Sequence, residues 1–363
     1  MSDTLLLATR KGLLTFRRDA PGSSGVGWSL AGEAHLGNPV SYALARGDTW
    51  FVALDYGHWG QKMSRSRDAG RTWEDIPAPA YPEGAIKYDV WKGTESGATL
   101  EYTWVLEAVG NRLYAGTNPG ALFTSDDDGD SWQIVEGLWN HPTRPKWMGG
   151  GKDSPGIHSI IADPRDPLRM WVALSSAGVF ETRDGGVTWA TRNVGMRNDY
   201  APEDKFPDVG HDPHFVMPCA AHPDVLWQQN HCGIWRSTDG AATWTDIAET
   251  DGPARFGFPI AAHATNPDVA WVVPADSDQK RQAVGGAICV SRTTDGGKTW
   301  QAQRNGLPQH AAYDIVYRHA LAIRGETLAF ASTTGNAYLT EDGGERWETL
   351  GQNLPPVYAV RFA

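Results

Sequence analysis

The sequence predicts an all-β fold in which seven small four-stranded sheets form a ring. Three observations carry this prediction: a composition rich in glycine and tryptophan, an octapeptide that recurs along the chain, and a C-terminal strand with no successor. The chain has 363 residues, of which 41 are glycine and 17 are tryptophan. Such a composition favours short strands and tight turns over helices. Residues 1–363 are therefore treated as one domain built from repeats.

The repeated octapeptide reads [Ser/Thr]-x-Asp-x-Gly-x-[Thr/Ser]-Trp and occurs six times. Ala241 occupies the glycine position of the fourth copy, and Arg346 replaces the threonine of the sixth. Successive copies lie 47 to 59 residues apart, which is the length of a four-stranded unit. Each copy therefore predicts one small antiparallel sheet. The aspartates of the six copies are Asp68, Asp127, Asp184, Asp239, Asp295 and Asp342.

Within each unit the strands are predicted in one order. An apolar first strand is followed by a second strand that ends in a small-residue turn, a third strand that enters the octapeptide, and a fourth that starts at its tryptophan. Short alternating runs bounded by Gly, Asp and Pro are typical of strands joined by hairpins. In the fourth unit the predicted strands are 157–162, 170–174, 178–182 and 188–191.

The N-terminal unit lacks a first strand, and the C-terminal segment 356–363 can supply it. Residues 5–9, 12–17 and Trp28 match strands two to four of the other units. An apolar strand from the end of the chain would complete this unit and close a ring of seven. The predicted units are 355–363 with 4–30, then 38–75, 101–135, 156–191, 214–246, 257–302 and 312–349.

The octapeptide, its spacing and this closure resemble the Asp-box, or bacterial neuraminidase repeat (BNR), β-propellers. That group includes sialidases, the sortilin luminal domain, xyloglucanase-type glycosidases and photosystem II assembly factors. The resemblance covers nearly the whole chain and implies a seven-bladed β-propeller. It also implies that the six aspartates are structural, since an Asp-box carboxylate accepts hydrogen bonds from its own turn. It leaves the activity open, because fold and function are separable.

Composition excludes several classes of partner. The formal net charge is −11 and no long basic stretch is present, so nucleic acid is not an expected partner. No apolar window approaches about 18 residues and the start lacks the pattern of an export signal, so we expect no membrane partner and a cytoplasmic monomer or small homo-oligomer. The glycines before Lys152 are not followed by Gly-Lys-Ser/Thr, and we expect neither a nucleotide nor a flavin.

A ligand pocket is predicted on the face where the fourth strand of one unit connects to the first strand of the next. Three consecutive connections are long, with 28 residues after Trp73, 24 after Trp132 and 25 after Trp189, against 9 to 13 elsewhere. Loops of this length in a compact domain are usually functional. A second-to-third-strand connection through 276–281 is expanded on the same face. The candidate substrate-binding residues are Lys152, Tyr88, Trp91, Trp59, Arg255, Phe258 and Tyr313.

Histidines are concentrated beside this predicted pocket. Aligned first strands place His158 at the same position as Met217, Phe258 and Tyr313, so His158 is expected to face the channel. The predicted metal ligands are His158, His211, His214 and His231. The predicted catalytic residues are His158, His214, Asp153 and Asp212. Imidazoles with a carboxylate bind zinc, manganese or iron and serve as acid–base groups. The alternative is that the histidines bond backbone carbonyls and buried water.

These features favour a sialidase- or glycosidase-like enzyme, a hydrolase or lyase, that acts on a sugar or polar small molecule by hydrolysis or elimination. One divalent transition metal is the candidate cofactor. Exo-sialidase activity itself is not expected, because sialidases with these repeats usually have six blades and three substrate-binding arginines, and mouth arginines are few here. Two alternatives remain open: a ligand- or glycan-binding module without turnover, and an assembly scaffold.

Overall fold

The structure, a computed structural model, describes residues 3–19, 27–149, 154–200, 204 and 207–363. Its strands form seven four-stranded antiparallel sheets and one two-stranded hairpin. The predicted all-β, seven-bladed architecture is confirmed. The chain begins with β1 (Thr4–Thr9), β2 (Gly12–Arg18) and β3 (Trp28–Ala34).

The second and third sheets follow in chain order, separated by the small hairpin. The second sheet contains β4 (Val40–Arg46), β5 (Thr49–Asp55), β6 (Gln61–Ser66) and β7 (Glu74–Ile76), with a 3-10 helix at Gly57–Trp59. The hairpin is β8 (Ile86–Asp89) with β9 (Thr94–Gly97). The third sheet contains β10 (Tyr102–Val109), β11 (Arg112–Asn118), β12 (Leu122–Ser125) and β13 (Gln133–Ile134).

The fourth and fifth sheets keep the same order of strands. A short helix α1 (Glu136–Trp139) and a 3-10 turn at Arg144–Lys146 precede them. The fourth sheet contains β14 (Ile157–Asp163), β15 (Asp166–Leu174), β16 (Gly178–Thr182) and β17 (Ala190–Thr191). The fifth contains β18 (Pro213–Cys219), β19 (His222–Asn230), β20 (Gly233–Ser237) and β21 (Thr245–Asp246).

The last two sheets and the closing strand complete the ring. The sixth sheet contains β22 (Gly257–Ala262), β23 (Ala270–Pro274), β24 (Val290–Thr293) and β25 (Gln301–Gln303), with a 3-10 turn at Val284–Gly286. The seventh contains β26 (Leu321–Arg324), β27 (Thr327–Ala331), β28 (Ala337–Thr340) and β29 (Glu348–Gly351). The chain ends with β30 (Val357–Phe362).

Strand β30 closes the ring by joining the first sheet. It pairs antiparallel with β1, where Leu7 lies opposite Val360. The innermost strands contact one another in the circular order β4, β10, β14, β18, β22, β26, β30 and again β4. These seven strands therefore surround a central channel.

The octapeptide aspartates bond within their own turns. In five copies the carboxylate accepts the backbone N–H of the residue four positions later, at 2.8–3.0 Å, and the hydroxyl of that residue, at 2.5–2.7 Å. In the sixth copy the hydroxyl is missing, and Asp342 accepts only the backbone N–H of Arg346 from that residue, at 3.1 Å. The octapeptide turns join third to fourth strands, so they lie on the face opposite the turns between second and third strands.

Tryptophans on second strands connect neighbouring sheets. The indole N–H of Trp171 donates to the carbonyl of Gly240 at 3.1 Å, and that of Trp271 donates to Gly343 at 2.9 Å. Each acceptor lies in the octapeptide turn of the following sheet, and both indoles are fully buried. These contacts, together with apolar packing between blades, hold the walls of the channel in place. No helix in the described residues is both long and apolar enough to cross a membrane.

Candidate functional site

In six of the seven sheets, a β-bulge in the innermost strand changes the direction of one side chain. At each bulge the inner strand gains one residue relative to its partner, near the end where the second strand turns into the third. Bulges of this kind redirect side chains and are common beside functional sites. The residues at these bulges are Ser41, Trp104, His158, His214, Phe258 and Tyr358.

The register corrects the predicted alignment of the first strands. His214, and not Met217, is the equivalent of His158. Tyr313 precedes β26 and its side chain is 67% exposed. The prediction that Tyr313 faces the channel was therefore wrong, because the sixth and seventh sheets are joined by a longer irregular segment than the repeat suggested.

The bulged residues, apart from His158, line a cavity of about 980 Å³ at the mouth of the channel. Its aromatic lining includes Trp91, Tyr102, Trp104, Tyr200, Phe256 and Phe258. Its charged lining is formed by Arg10, Arg281, Arg318, Asp55, Asp212 and Asp278. The pocket is on the face of the second-to-third-strand turns, opposite the octapeptide turns.

One wall of the cavity contains a carboxylate between two imidazoles. The Nε2 atom of His214 lies 3.5 Å from Oδ2 of Asp212, and Nδ1 of His231 lies 3.7 Å from the same oxygen. Asp212 immediately precedes β18, His214 lies within β18, and His231 is in the turn between β19 and β20. The backbone N–H of His231 donates to the carbonyl of Asp212 at 2.9 Å, which fixes this turn beside the carboxylate.

Further hydrogen bonds orient these side chains. Nδ1 of His214 donates to the carbonyl of Gly257 at 2.6 Å, and the ring stacks on Phe258 with centroids 4.6 Å apart. The other oxygen of Asp212, Oδ1, accepts the N–H of Ser176 at 3.0 Å. The second nitrogen of His231, Nε2, lies 3.9 Å from Oδ2 of Asp278. The positions of the two rings and the carboxylate are thus defined by groups from three separate parts of the chain, namely β22, the turn at Ser176 and the connection that contains Asp278.

The electrostatic environment keeps Asp212 ionised and His214 neutral. Burial alone would raise the pKa of Asp212, but the adjacent imidazoles of His214 and His231 and the nearby charge of Arg318 hold it well below its usual range. Burial lowers the pKa of His214 from 6.5, although Asp212 opposes this shift. Burial and the Asp212 charge raise the pKa of the Tyr200 hydroxyl, which therefore stays protonated.

Arg318 places a positive charge in the same cavity. Its guanidinium lies over Trp104 at 4.9 Å and Phe258 at 5.5 Å, within cation–π range. Its Nε atom is buried without a hydrogen-bond partner, and within the described ranges no carboxylate forms an ion pair with this side chain. Burial lowers the pKa of Arg318 to about 10, so the group remains charged at neutral pH.

The structure brings together two of the four predicted metal-ligand histidines. His214 and His231 converge on Asp212, whereas Nε2 of His211 lies 2.8 Å from the carbonyl of Pro207 and the residue does not line the cavity. His158 is fully buried, packs against Trp104 and bonds the hydroxyl of Ser159 through Nδ1. The predicted four-histidine cluster is therefore wrong, because His211 bonds the Pro207 carbonyl and the buried ring of His158 packs against Trp104, outside the cavity lining. Asp153 and Lys152 lie outside the described residues.

Two of the predicted substrate-binding residues line the cavity, namely Trp91 and Phe258. Trp59 is 76% exposed and lies outside the lining. Tyr88 packs against the guanidinium of Arg144, with 4.9 Å to the ring centroid, away from the cavity. Arg255 lines an adjacent groove on the far side of His231, so its predicted place in the pocket was wrong.

Sequence reasoning missed Trp104, Asp278 and Arg318. Trp104 occupies the bulge position that His158 occupies one sheet later, so a strand alignment that included the third sheet could have found it. Asp278 lies on the expanded connection 276–281, whose length was noted but whose acidic residues were not. Arg318 precedes β26 in an irregular segment, and no repeat position marks it.

Comparisons with known proteins find relatives among xyloglucanases. No family model matches the chain. An oligoxyloglucan-reducing end-specific xyloglucanase of Emericella nidulans is 27% identical over 327 residues, which cover 82% of this chain and 37% of that protein. Xyloglucanase Xgh74A of Acetivibrio thermocellus is 26% identical over 257 residues, covering 65% of this chain and 28% of that protein. The chain thus spans less than two fifths of the length of these curated relatives.

Solved structures share the propeller fold. An ancestral GH74 enzyme superposes with a TM-score of 0.56 at 16% identity, over 85% of this chain and 38% of that chain. YCF48 from Cyanidioschyzon merolae superposes with a TM-score of 0.55 at 15% identity, over 93% of both chains. A structure of YCF48 bound to D1 peptide gives a TM-score of 0.53 at 15% identity, over 91% of both chains. At these identities the likeness establishes the fold.

Proposed function

We propose that this protein is a glycosidase-like hydrolase that binds a sugar or similar polar molecule bearing an acidic group in the channel cavity. The observation that carries the proposal is the wall formed by Asp212, His214 and His231 inside a large, aromatic-lined cavity. The similarity to xyloglucanases supports a hydrolytic reaction on a carbohydrate. Neither the substrate nor the site residues are carried over from those proteins.

The cavity suits a ligand of one or two sugar rings. A volume of about 980 Å³ is at the upper end of small-molecule sites, which are about 300–1,000 Å³. Trp91, which lines the cavity and is 71% exposed, offers a flat apolar surface for ring packing, and nearby tyrosine hydroxyls can exchange hydrogen bonds with ligand hydroxyls.

Three arginines explain why the ligand should be acidic. Arg10, Arg281 and Arg318 line the cavity, and none of them forms an ion pair with a carboxylate in the part of the chain that the structure describes. A guanidinium that lacks a protein partner gains most from a carboxylate or phosphate on a ligand. Arg318 is best placed, because its Nε is already removed from solvent without a partner.

Hydrolysis requires a base for the attacking water and an acid for the leaving oxygen. Asp212 is an ionised carboxylate and is the candidate base. His231 is 30% exposed and faces Asp212 through Nδ1 and Asp278 through Nε2, so it is the candidate proton donor and carrier. The balanced reaction cleaves one C–O bond. The water hydroxyl bonds to the carbon, one proton reaches the leaving oxygen, and no oxidant or cofactor is consumed.

The test is turnover of a panel of 4-nitrophenyl glycosides of neutral sugars and sugar acids, compared with Asp212→Asn. We expect release of nitrophenol from a sugar acid and a loss of about 10²- to 10⁴-fold in the variant, which is the usual contribution of a general base. Saturable binding of a sugar acid to the wild-type protein without product from any substrate would reject the hydrolase.

A peptide-binding module without turnover is the second candidate. It is favoured by one observation, namely that YCF48 matches this chain from end to end whereas the xyloglucanases are matched over a fraction of their length. If the protein is a peptide-binding module, Arg318→Gln should weaken peptide binding. Neither the wild type nor Asp212→Asn should then show any turnover. Titration with acidic peptides, monitored by calorimetry, separates this outcome from the first.

A further inference from the structure

We propose that Asp212, His214 and His231 bind one divalent transition metal ion, and that zinc fits the three ligands best. The three residues each direct one ligand atom into the same space, and these atoms all lie within 4.8 Å of one another. In the described ranges no other group of three or more His, Cys, Asp or Glu residues converges in this way.

The two separations from the carboxylate oxygen are close to those of a tetrahedral site, and all three ligand atoms lie within 4.8 Å of one another. With metal–ligand bonds of about 2.1 Å, neighbouring ligand atoms of a tetrahedral zinc ion lie about 3.4 Å apart. The Asp212 carboxylate oxygen lies 3.5 Å from Nε2 of His214 and 3.7 Å from Nδ1 of His231. Bonds of ordinary length could therefore reach one ion with only small side-chain adjustments.

The outer hydrogen bonds are a second and independent indication. A histidine that binds a metal through one nitrogen usually donates its other N–H to a carbonyl or a carboxylate. Nδ1 of His214 lies 2.6 Å from the Gly257 carbonyl, and Nε2 of His231 faces the Asp278 carboxylate at 3.9 Å. Asp212 is held through its remaining oxygen by the N–H of Ser176 at 3.0 Å. His214 and Asp212 thus each have an outer hydrogen-bond partner, and His231 has a carboxylate within ion-pair distance.

The tautomer of His214 gives the physical reason for a cation at this point. A carbonyl oxygen only accepts hydrogen bonds, so the hydrogen of a neutral His214 ring must lie on Nδ1. The Nε2 lone pair then faces a carboxylate oxygen at 3.5 Å, an arrangement of two acceptors with no donor between them. A metal ion that binds both atoms converts this repulsion into attraction. A proton on Nε2 would do the same, so metal and proton compete for the site.

The site has the form expected of a catalytic metal centre. Three protein ligands leave a fourth position, and the group lines the cavity with His231 partly exposed. A water in that position would be the nucleophile for the proposed hydrolysis, activated by the ion in place of Asp212 acting as a free base, and this catalytic role rests on the proposed function. Metal binding itself is independent of turnover.

The experiment is a zinc titration of tag-free, chelator-treated protein, with bound metal measured by elemental analysis after equilibrium dialysis. Cobalt(II) is used in parallel, because its visible absorption reports nitrogen and oxygen ligation directly. The variants are His231→Ala, His214→Gln and Asp278→Asn. The controls are His211→Gln, a neighbouring buried histidine that bonds a carbonyl, and His141→Gln, a buried histidine of another blade.

We expect about one equivalent of zinc in the wild-type protein and a thermal stabilisation by zinc. His231→Ala, whose side chain is 30% exposed and can be removed without unfolding the protein, should lose most of this binding. Asp278→Asn should weaken it about 10- to 100-fold, and both control variants should retain it.

Absence of stoichiometric zinc and cobalt binding, or equal binding by wild type and His231→Ala, would overturn the metal site. A metal-binding protein that turns over no substrate would leave the site standing and reject the hydrolase. Turnover by a metal-free protein that is unaffected by chelators would support the hydrolase and reject a catalytic role for the metal, and the zinc titration would still decide whether the ion binds.

Discussion

The imidazole of His214 donates from Nδ1 to the carbonyl oxygen of Gly257, 2.6 Å away on the neighbouring blade. Because β18 and β22 are separate innermost strands, this bond couples the orientation of a cavity side chain to the spacing of two blades. It also directs Nε2 towards Asp212. The chemistry of the wall therefore depends on a contact between blades.

His214→Phe tests this coupling. The phenyl ring can keep the stacking on Phe258 but cannot donate to the Gly257 carbonyl, which is then left buried and unsatisfied. We expect a loss of about 1–3 kcal/mol in the free energy of unfolding, measured by urea denaturation. His214→Gln keeps an N–H donor and is expected to lose less. Equal stability of the two variants would show that the hydrogen bond contributes little.

Arg318→Gln should weaken ligand binding while leaving the fold intact. The substitution removes the positive charge from the cavity, and a charge-assisted hydrogen bond is worth about 1.5–3 kcal/mol, or roughly 10- to 100-fold in affinity. The guanidinium forms no ion pair within the described residues, but its charge also favours the ionised form of the nearby Asp212, so the free energy of unfolding should change little. The measurements are calorimetric binding of a sugar acid and thermal unfolding. Arg255→Gln is the matched control, since Arg255 lies in the adjacent groove and should bind the same ligand as the wild type does.

The octapeptide copies should differ in their contribution to stability. Asp184 accepts both the N–H and the hydroxyl of Thr188, whereas Asp342 accepts only the N–H of Arg346 from the equivalent position. Asp184→Ala should therefore lower the melting temperature more than Asp342→Ala does, and Arg346→Thr should raise it. Cavity binding should stay unchanged in all three variants, because these turns lie on the opposite face. An equal fall in both alanine variants would contradict the role of the hydroxyl.

The buried carboxylate of Glu181 should make the stability of the protein depend on pH in the acid range. This carboxylate is completely buried and accepts from Arg169 at 2.7 Å, Arg192 at 2.7 Å and Arg183 at 2.9 Å. Burial alone would raise the pKa of Glu181, but these arginines lower it below its usual 4.5. A carboxyl whose pKa is lowered on folding adds stability above pH 4.5, and that stability is lost as pH falls through the folded-state pKa.

Glu181→Gln should lower the free energy of unfolding at neutral pH by less than the about 3–5 kcal/mol lost when an isolated buried ion pair is broken. The loss is smaller because the buried Arg169 keeps Asp163 and Asp224 as partners, and Arg183 is largely exposed. The stability of the variant should also depend less on pH below 4.5 than that of the wild type. Denaturant unfolding between pH 3 and 7 measures both effects. Asp126→Asn, which removes an exposed partner of Arg112, is the control and should change stability little. If the free energy of unfolding of wild type and of Glu181→Gln falls equally as the pH decreases below 4.5, groups other than Glu181 cause the acid sensitivity.

The strand order, the seven sheets and their closure could be predicted from the chain because these features are local or repeated. Each octapeptide carries its own turn chemistry, as the bonds of Asp184 to Thr188 show. The spacing of the copies defines one sheet per repeat. The N-terminal unit lacks a first strand and the C-terminus has one extra strand, and together these predict the closure through β30.

The site depended on tertiary structure because its members come from different blades and from positions that no repeat marks. A bulge turns His214 into the cavity, while His211, three residues earlier, bonds the Pro207 carbonyl instead. Strand side chains alternate between faces, so one inserted residue changes which histidine faces the channel. Asp278 comes from the sixth sheet and Arg318 from the segment before the seventh, so neither lies near Asp212 until these sheets pack into the ring. The clustering of histidines along the chain therefore indicated the region of the ring that holds the site. Which of these histidines line the cavity was decided by how the blades pack.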